Sequence, residues 1–112
     1  MSYEVKTISD FENQAKRLIK KIPSLKKEIH EVIQSLKEDP RQGDSFGNSC
    51  YKVRIKIASK GKGKSGGARL ITHVLVQQTT VYLLSIYDKS EHESMSEKHI
   101  KLLLKEIPPA KP

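Results

Sequence analysis

The stretch CYKVRIKI, residues 50–57, decides the fold, because here the apolar residues change from helical spacing to strict alternation. Side chains of a β-strand point alternately to its two faces. One face of this strand is therefore apolar and carries Tyr51, Val53, Ile55 and Ile57, while the other is cationic and carries Lys52, Arg54 and Lys56. Residues 68–77 and 80–87 are rich in β-branched and aromatic residues, and they predict two further strands.

Residues before this stretch predict one more strand and two helices. Residues 3–8 alternate and indicate a short strand, and Ser9 with Glu12 matches a helix capping box. Apolar residues at helical spacing then predict a helix on each side of Pro23, with the second ending at Pro40. A second capping box, Ser94 with Glu97, predicts a final amphipathic helix that Pro108 stops.

The element order β-α-α-β-β-β-α predicts an α+β fold. We expect an antiparallel sheet with an N-terminal helical hairpin and a C-terminal helix, all helices packing on the apolar face of the sheet. The cationic side of residues 50–57 then faces solvent. A length of 112 residues allows one domain, residues 1–107, followed by a disordered tail at 108–112.

The positive charge is concentrated in the centre of the chain. The formal net charge is +8, and no acidic residue lies between Asp44 and Asp88. That segment contains seven of the 21 Lys and Arg residues, which leaves 14 against all 13 acidic residues elsewhere. Such a segment favours a nucleic acid as partner. A membrane surface is disfavoured because the segment is predicted to form strands and not an amphipathic helix.

Cysteine usage and hydropathy exclude several classes of protein. Cys50 is the single cysteine, so no internal disulfide forms, and no Cys/His cluster has zinc-binding spacing. No apolar run approaches the roughly 20 residues of a membrane span, and the N-terminus lacks a signal-peptide pattern. We therefore expect a cytoplasmic protein that uses no metal and no cofactor.

Two features of the basic segment fit phosphate binding. Lys52, Arg54 and Lys56 are spaced about 7 Å apart along one strand face. A wet sheet face alone also explains polar residues there, but like charges on neighbouring positions repel. The glycine-rich run 59–67 ends like a nucleotide-binding loop at Gly63-Lys64-Ser65, yet position 58 is Ala and a strand follows, so nucleotide hydrolysis is disfavoured. We expect this glycine-rich run to form a flexible cationic loop between two strands, which binds a polyanion through Lys60, Lys62 and Lys64.

Other candidate site residues lie on the last two predicted strands. Arg69 and His73 are four residues apart and project to one face, and an Arg within an apolar strand needs an anionic partner or water. His73 is equally explained as an ordinary histidine of a polar face. Tyr87 and Lys89 lie where the last strand ends, a usual place for functional residues.

Three stretches together resemble RelE/HigB-type toxins, the toxic halves of bacterial toxin–antitoxin pairs. They are residues 50–56, residues 58–71 with the run SKGKGKSGGAR, and residues 82–91. The resemblance implies a RelE-like fold and a metal-independent endoribonuclease that cleaves mRNA on the ribosome by attack of a ribose 2′-OH on the adjacent phosphate. It also implies an antitoxin protein as partner, besides the ribosome and mRNA.

The resemblance further implies roles for individual residues. Lys52, Arg54 and Lys56 lie on the strand that supplies basic catalytic side chains in these toxins, and Arg69 is expected to stabilise the pentavalent phosphorane. Lys89 matches a further cation, a possible donor to the leaving group. Residues 92–95 lack the tyrosine found there in some of these toxins, so Tyr87 or His73 is expected to transfer the proton.

Two other functions stay open from the sequence. The same fold also houses toxins that inhibit DNA gyrase without cutting RNA, although such an inhibitor does not need clustered cations on a sheet face. A catalytically inactive RNA-binding module is the other alternative.

Overall fold

The computed structural model describes residues 2–57, 67–91 and 95–108. Three helices and five strands follow one another along the chain. They are β1 (Glu4–Thr7), α1 (Ser9–Lys21), α2 (Leu25–Glu38), β2 (Asp44–Ser45), β3 (Cys50–Ile55), β4 (Ala68–Leu75), β5 (Thr80–Asp88) and α3 (Glu97–Leu104). The α+β class and the helical hairpin are confirmed, and the two-residue strand β2 is added to the four strands that the sequence predicts.

The five strands form one mixed sheet in the order β1-β5-β4-β3-β2. Strand β4 pairs antiparallel with both β3 and β5, as predicted for consecutive strands. The edge strand β1 instead pairs in parallel with β5, so the sheet is not purely antiparallel. The reason is the helical hairpin, which carries the chain out along α1 and back along α2, so that β3 starts in the same direction as β1.

The helices pack on both faces of the sheet, which corrects the expectation of a single covered face. On one face, Leu18 of α1 and Leu25 of α2 join Ile55, Leu70 and Leu83 in the larger core cluster. On the other face, α3 contributes to a second cluster, whose members include Ile71, Tyr82, Leu84, Tyr87, Ile100 and Leu103. The cationic side of β3 is therefore partly covered by protein and not fully open to solvent.

The predicted capping box at Ser9 and Glu12 does not form. Helix α1 begins at Ser9 itself, after Ile8, and its first turn has no side-chain cap. The Ser9 hydroxyl instead donates to Glu106 Oε1 at 3.1 Å, and Glu12 accepts a hydrogen bond from the Thr7 hydroxyl. Helix α3 is capped by Ser96, whose Oγ accepts from the His99 amide at 3.1 Å. Ser94 lies outside the described residues.

A close backbone approach explains the second glycine of the double-glycine pair. A Cβ atom on Gly67 would lie 2.0 Å from the Ile55 carbonyl oxygen, far inside contact distance. The Gly67 carbonyl in turn accepts the Lys89 amide at 3.1 Å. Gly67 thus lets the start of β4 lie close to the C-terminal ends of β3 and β5 at one end of the sheet.

The substitution Gly67→Ala is expected to lower the free energy of unfolding by more than about 1 kcal/mol, because the added methyl group forces Ile55 and β4 apart. Urea unfolding followed by circular dichroism measures this loss. The exposed α2 residue Gln34, changed to Ala, is the control and should shift the free energy by no more than about 0.5 kcal/mol. Equal stability of the two variants would contradict the close-approach argument.

Candidate functional site

The strand register aligns three predicted site residues across the sheet. Arg54 of β3 lies directly opposite Arg69 of β4, which lies directly opposite Tyr87 of β5. Directly opposed residues share one face of a sheet. Tyr87 belongs to the core cluster that includes Ile100 of α3, so this row lies on the α3 side. We call Arg54, Arg69 and Tyr87 the Arg–Tyr row.

The row combines two buried side chains with one exposed side chain. Arg69 and Tyr87 are each only 4% exposed, whereas the Arg54 side chain is 57% exposed. Arg69 Nη1 donates to its neighbouring Ala68 carbonyl oxygen at 3.1 Å. Burial raises the pKa of the Tyr87 phenol, and the positive charge of Arg69 partly opposes that rise. The phenol is therefore protonated at neutral pH and lies within the field of a buried guanidinium.

Two cavities meet at Tyr87. One of about 270 Å³ lies between the sheet and α3, and is lined by Phe46, Lys52, Ile71, Tyr87, Met95, Glu97 and Ile100. The other, of about 160 Å³, includes Asp10, Ser85, Tyr87 and His99 in its lining. Lys52 is half-buried and lies one row further along the sheet than Arg54. The larger cavity thus brings the Lys52 and Tyr87 side chains to one concave surface.

Lys56 and Lys89 lie at the same end of the sheet as the Arg–Tyr row. Lys56 follows the end of β3 and Lys89 follows the end of β5, and both are exposed. The turn after β5 is held by Asp88, whose Oδ1 accepts from the Ser90 amide at 2.9 Å. Two exposed cations therefore follow the strand ends next to Arg54 and Tyr87, and exposed cations are groups that can bind phosphate.

His73 lies apart from this group. It lies opposite Cys50 in the pairing of β3 with β4. Four residues separate it from Arg69, which is about 13 Å along the strand. Its Nδ1 is 3.6 Å from the Cys50 Sγ, and burial lowers the pKa of the imidazole. His73 is half-buried and neutral at pH 7, and the structure does not bring it to the Arg–Tyr row.

Three further predictions concern the lysines of the glycine-rich run, a metal site and a membrane span. Lys60, Lys62 and Lys64 lie outside the described residues. Within residues 2–57, 67–91 and 95–108, no group of three His, Cys, Asp or Glu side chains is arranged to hold a metal ion. No helix in the same ranges is long and apolar enough to span a bilayer.

Sequence reasoning missed the apolar wall of the larger cavity. Phe46 and Met95 come from loops, and Ile100 comes from the helix that crosses the cationic face. The spacing of Ile100, Leu103 and Leu104 does indicate an apolar helix face. Periodicity within one helix cannot tell which sheet face receives it, so only the structure reveals this part of the site.

Comparison with known proteins identifies the fold. No protein-family model matches the chain. A free-state structure of the E. coli toxin RelE, in which two arginines are replaced by alanine, superposes with a TM-score of 0.60 over 95% of this chain and 94% of that one, at 17% identity. The isolated E. coli RelE toxin gives a TM-score of 0.57 over 93% and 98%, at 18% identity. The chain therefore has the RelE fold, which confirms the expected architecture.

The buried Cys50 thiol is expected to be unreactive in the native protein. Cys50 is fully buried, and burial raises its pKa from 9.0 to about 11, so the reactive thiolate is scarce at pH 8. Ellman's reagent should therefore modify Cys50 only after unfolding in guanidinium chloride, where one thiol per chain reacts. Equally fast reaction with the native protein would show that the β3-β4 ladder opens at this end.

Proposed function

We propose that this chain is the toxin of a toxin–antitoxin pair and that it cleaves mRNA bound to the ribosome. One observation carries the proposal: in a RelE fold, the buried Arg69 and Tyr87 lie opposite each other across two strands, and Tyr87 lines a cavity together with Lys52. Such a row can bind a phosphate, stabilise added negative charge and supply a proton.

The proposed reaction is an internal transfer at one phosphate. The ribose 2′-oxygen forms a bond to phosphorus while its proton leaves to a base. The bond from phosphorus to the 5′-oxygen then breaks, and that oxygen takes a proton. The products are a 2′,3′-cyclic phosphate and a free 5′-hydroxyl. The step needs positive charge at the phosphorane and an acid beside the leaving oxygen.

Lys52, Arg54 and Arg69 supply the positive charge in this proposal. Arg54 is exposed and Lys52 lines the cavity, so both can touch a phosphate that enters from solvent. Arg69 lies deeper, and its charge acts through a medium of low polarity, where it is felt more strongly than in water. Lys56 and Lys89, both exposed at this end of the sheet, would hold the flanking phosphates.

Tyr87 is the proposed acid. A phenol is protonated at neutral pH even at its ordinary pKa, and burial raises the pKa of Tyr87 further, while the Arg69 charge stabilises the phenolate that forms when the proton leaves. The raised pKa makes Tyr87 unsuited to accept the 2′-OH proton in the resting enzyme. His73 lies about 13 Å from Arg69 along β4, so we assign it no part in this step.

The proposal includes a partner and a compartment. The two solved structures compared above are named as toxins, and a toxin that cuts mRNA must be held inactive until it is needed. An acidic antitoxin segment that covers Lys52, Arg54 and the cavity beside α3 would do this by charge complementarity. The cytoplasm is the proposed place of action, since ribosomes are there.

Arg69→Ala should lower cleavage of a translated message by about 10²-fold to 10³-fold, as removal of a preorganised charge donor does. Primer extension on matched translated and untranslated copies measures it. Because Arg69 is buried, thermal unfolding must accompany the assay, and Arg69→Lys keeps a charge if the alanine variant does not fold. The exposed Arg41, changed to Ala, is the matched control that should cut normally.

Two outcomes of that experiment would overturn the proposal. Equal cutting by the folded Arg69→Ala variant and the wild type would remove the Arg–Tyr row from the chemistry. Growth arrest with an intact message would point instead to inhibition of another target, such as DNA gyrase.

Tyr87→Phe should slow cleavage of ordinary mRNA by about 10²-fold, because the leaving 5′-oxygen loses its proton donor. An mRNA with a 5′-bridging sulfur at the cleaved position needs no such proton, since a thiolate is a good leaving group. The Tyr87→Phe defect should therefore nearly vanish on that mRNA, while the Arg69→Ala defect persists. An unrelieved Tyr87→Phe defect on the sulfur substrate would assign Tyr87 a role other than acid.

A further inference from the structure

A second acid-free basic stretch lies in the helical hairpin. Residues 13–27 contain six Lys and Arg residues, and no acidic residue lies between Glu12 and Glu28. The chain outside the central segment is nearly neutral in sum, but its charge is unevenly spread. We call the six residues the hairpin tip: Lys16, Arg17, Lys20, Lys21, Lys26 and Lys27.

The hairpin tip is exposed and its apolar residues are buried. All six cations are exposed, whereas Leu18, Ile22 and Leu25 lie in the core. Arg17 and Lys21 each form an ion pair with Glu91 at 3.0 Å. Among the described residues, the other four cations form no ion pair. Their charge is therefore available to an outside partner.

Helix stability explains only part of this pattern. Lys20 and Lys21 lie in the last turn of α1, where a cation interacts favourably with the helix dipole. Lys26 and Lys27 lie in the first turn of α2, where a cation opposes the dipole. Lys16 and Lys20 are four residues apart on one helix face and repel each other. A polyanion bound across the tip would relieve both unfavourable effects.

Ion pairs place the hairpin tip at the end of the sheet that carries the Arg–Tyr row. Glu91 follows β5 by three residues, and it bridges to Arg17 and Lys21 near the C-terminal end of α1. The same end holds Lys89 and the Arg54–Arg69 pair. The tip packs on the opposite face of the sheet from α3, so it forms a separate surface beside the candidate active site.

We infer that the hairpin tip is a second RNA-binding surface, which holds the phosphate backbone of a duplex region. This inference rests on the proposed function in taking RNA as the partner. A membrane surface is disfavoured, because the large exposed apolar residues of the described chain, Phe46, Val76 and Leu102, all lie elsewhere. Single-stranded RNA is disfavoured because residues 13–27 contain no aromatic side chain on which bases could stack.

Salt-dependent binding of a labelled 2′-O-methyl RNA duplex tests the inference, because that duplex cannot be cleaved. The tip variant changes Lys16, Lys20, Lys26 and Lys27 to Gln. The matched control changes Lys6, Lys37, Lys98 and Lys105 to Gln and removes the same charge. Log K falls as log salt rises, and this slope should become less negative by about 3 to 4 in the tip variant. In the control it should change by less than about 1.

Equal changes in the two variants would overturn the inference, since net charge alone would then explain binding. Loss of binding to phosphatidylserine vesicles with unchanged duplex binding would overturn it in favour of a membrane. Thermal unfolding should show the tip variant at least as stable as the wild type. This test uses no cleavage, so duplex binding that depends on the tip, together with no cleavage of a translated message by the wild type, would reject the proposed function alone.

Discussion

The hydrogen-bonded register of β3, β4 and β5 is the constraint on which the rest of the structure depends. It places Arg54, Arg69 and Tyr87 in one row across three strands. A shift of one residue would turn Arg69 toward Leu18 and Leu25 in the larger core cluster, where a charge is costly to bury without a partner. The apolar face of these strands therefore fixes the register, and the register aligns the polar row.

The two helical layers give the two faces of the sheet different roles. On one face, α1 and α2 cover an apolar core and present their cations outward at the hairpin tip. On the other, α3 covers only part of the sheet and leaves a cavity of about 270 Å³ beside Tyr87. Tyr87 is therefore buried, at 4% exposure, and still lines a cavity.

Secondary structure was predicted correctly from the sequence where the apolar residues are strongly periodic. The alternation at residues 50–57 and the helical spacing on both sides of Pro23 predict elements that the structure contains. The capping box at Ser9 was wrong, because a two-residue match is weak and tertiary contacts compete for the same side chains. The Ser9 hydroxyl donates to Glu106, 97 residues away, and Glu12 accepts from the Thr7 hydroxyl. Such contacts cannot be read from neighbouring residues.

By itself, the sequence determined the element types, the α+β class and the basic residues of β3, because each depends on the spacing of side chains along a short stretch. It also indicated Arg69 and Tyr87 as candidates without placing them opposite each other. Only the tertiary structure decided that α3 crosses the cationic face, that His73 lies at the far end of β4, and that β1 joins the sheet in parallel. These features depend on contacts between distant segments, whose free energy is settled by packing and not by local pattern.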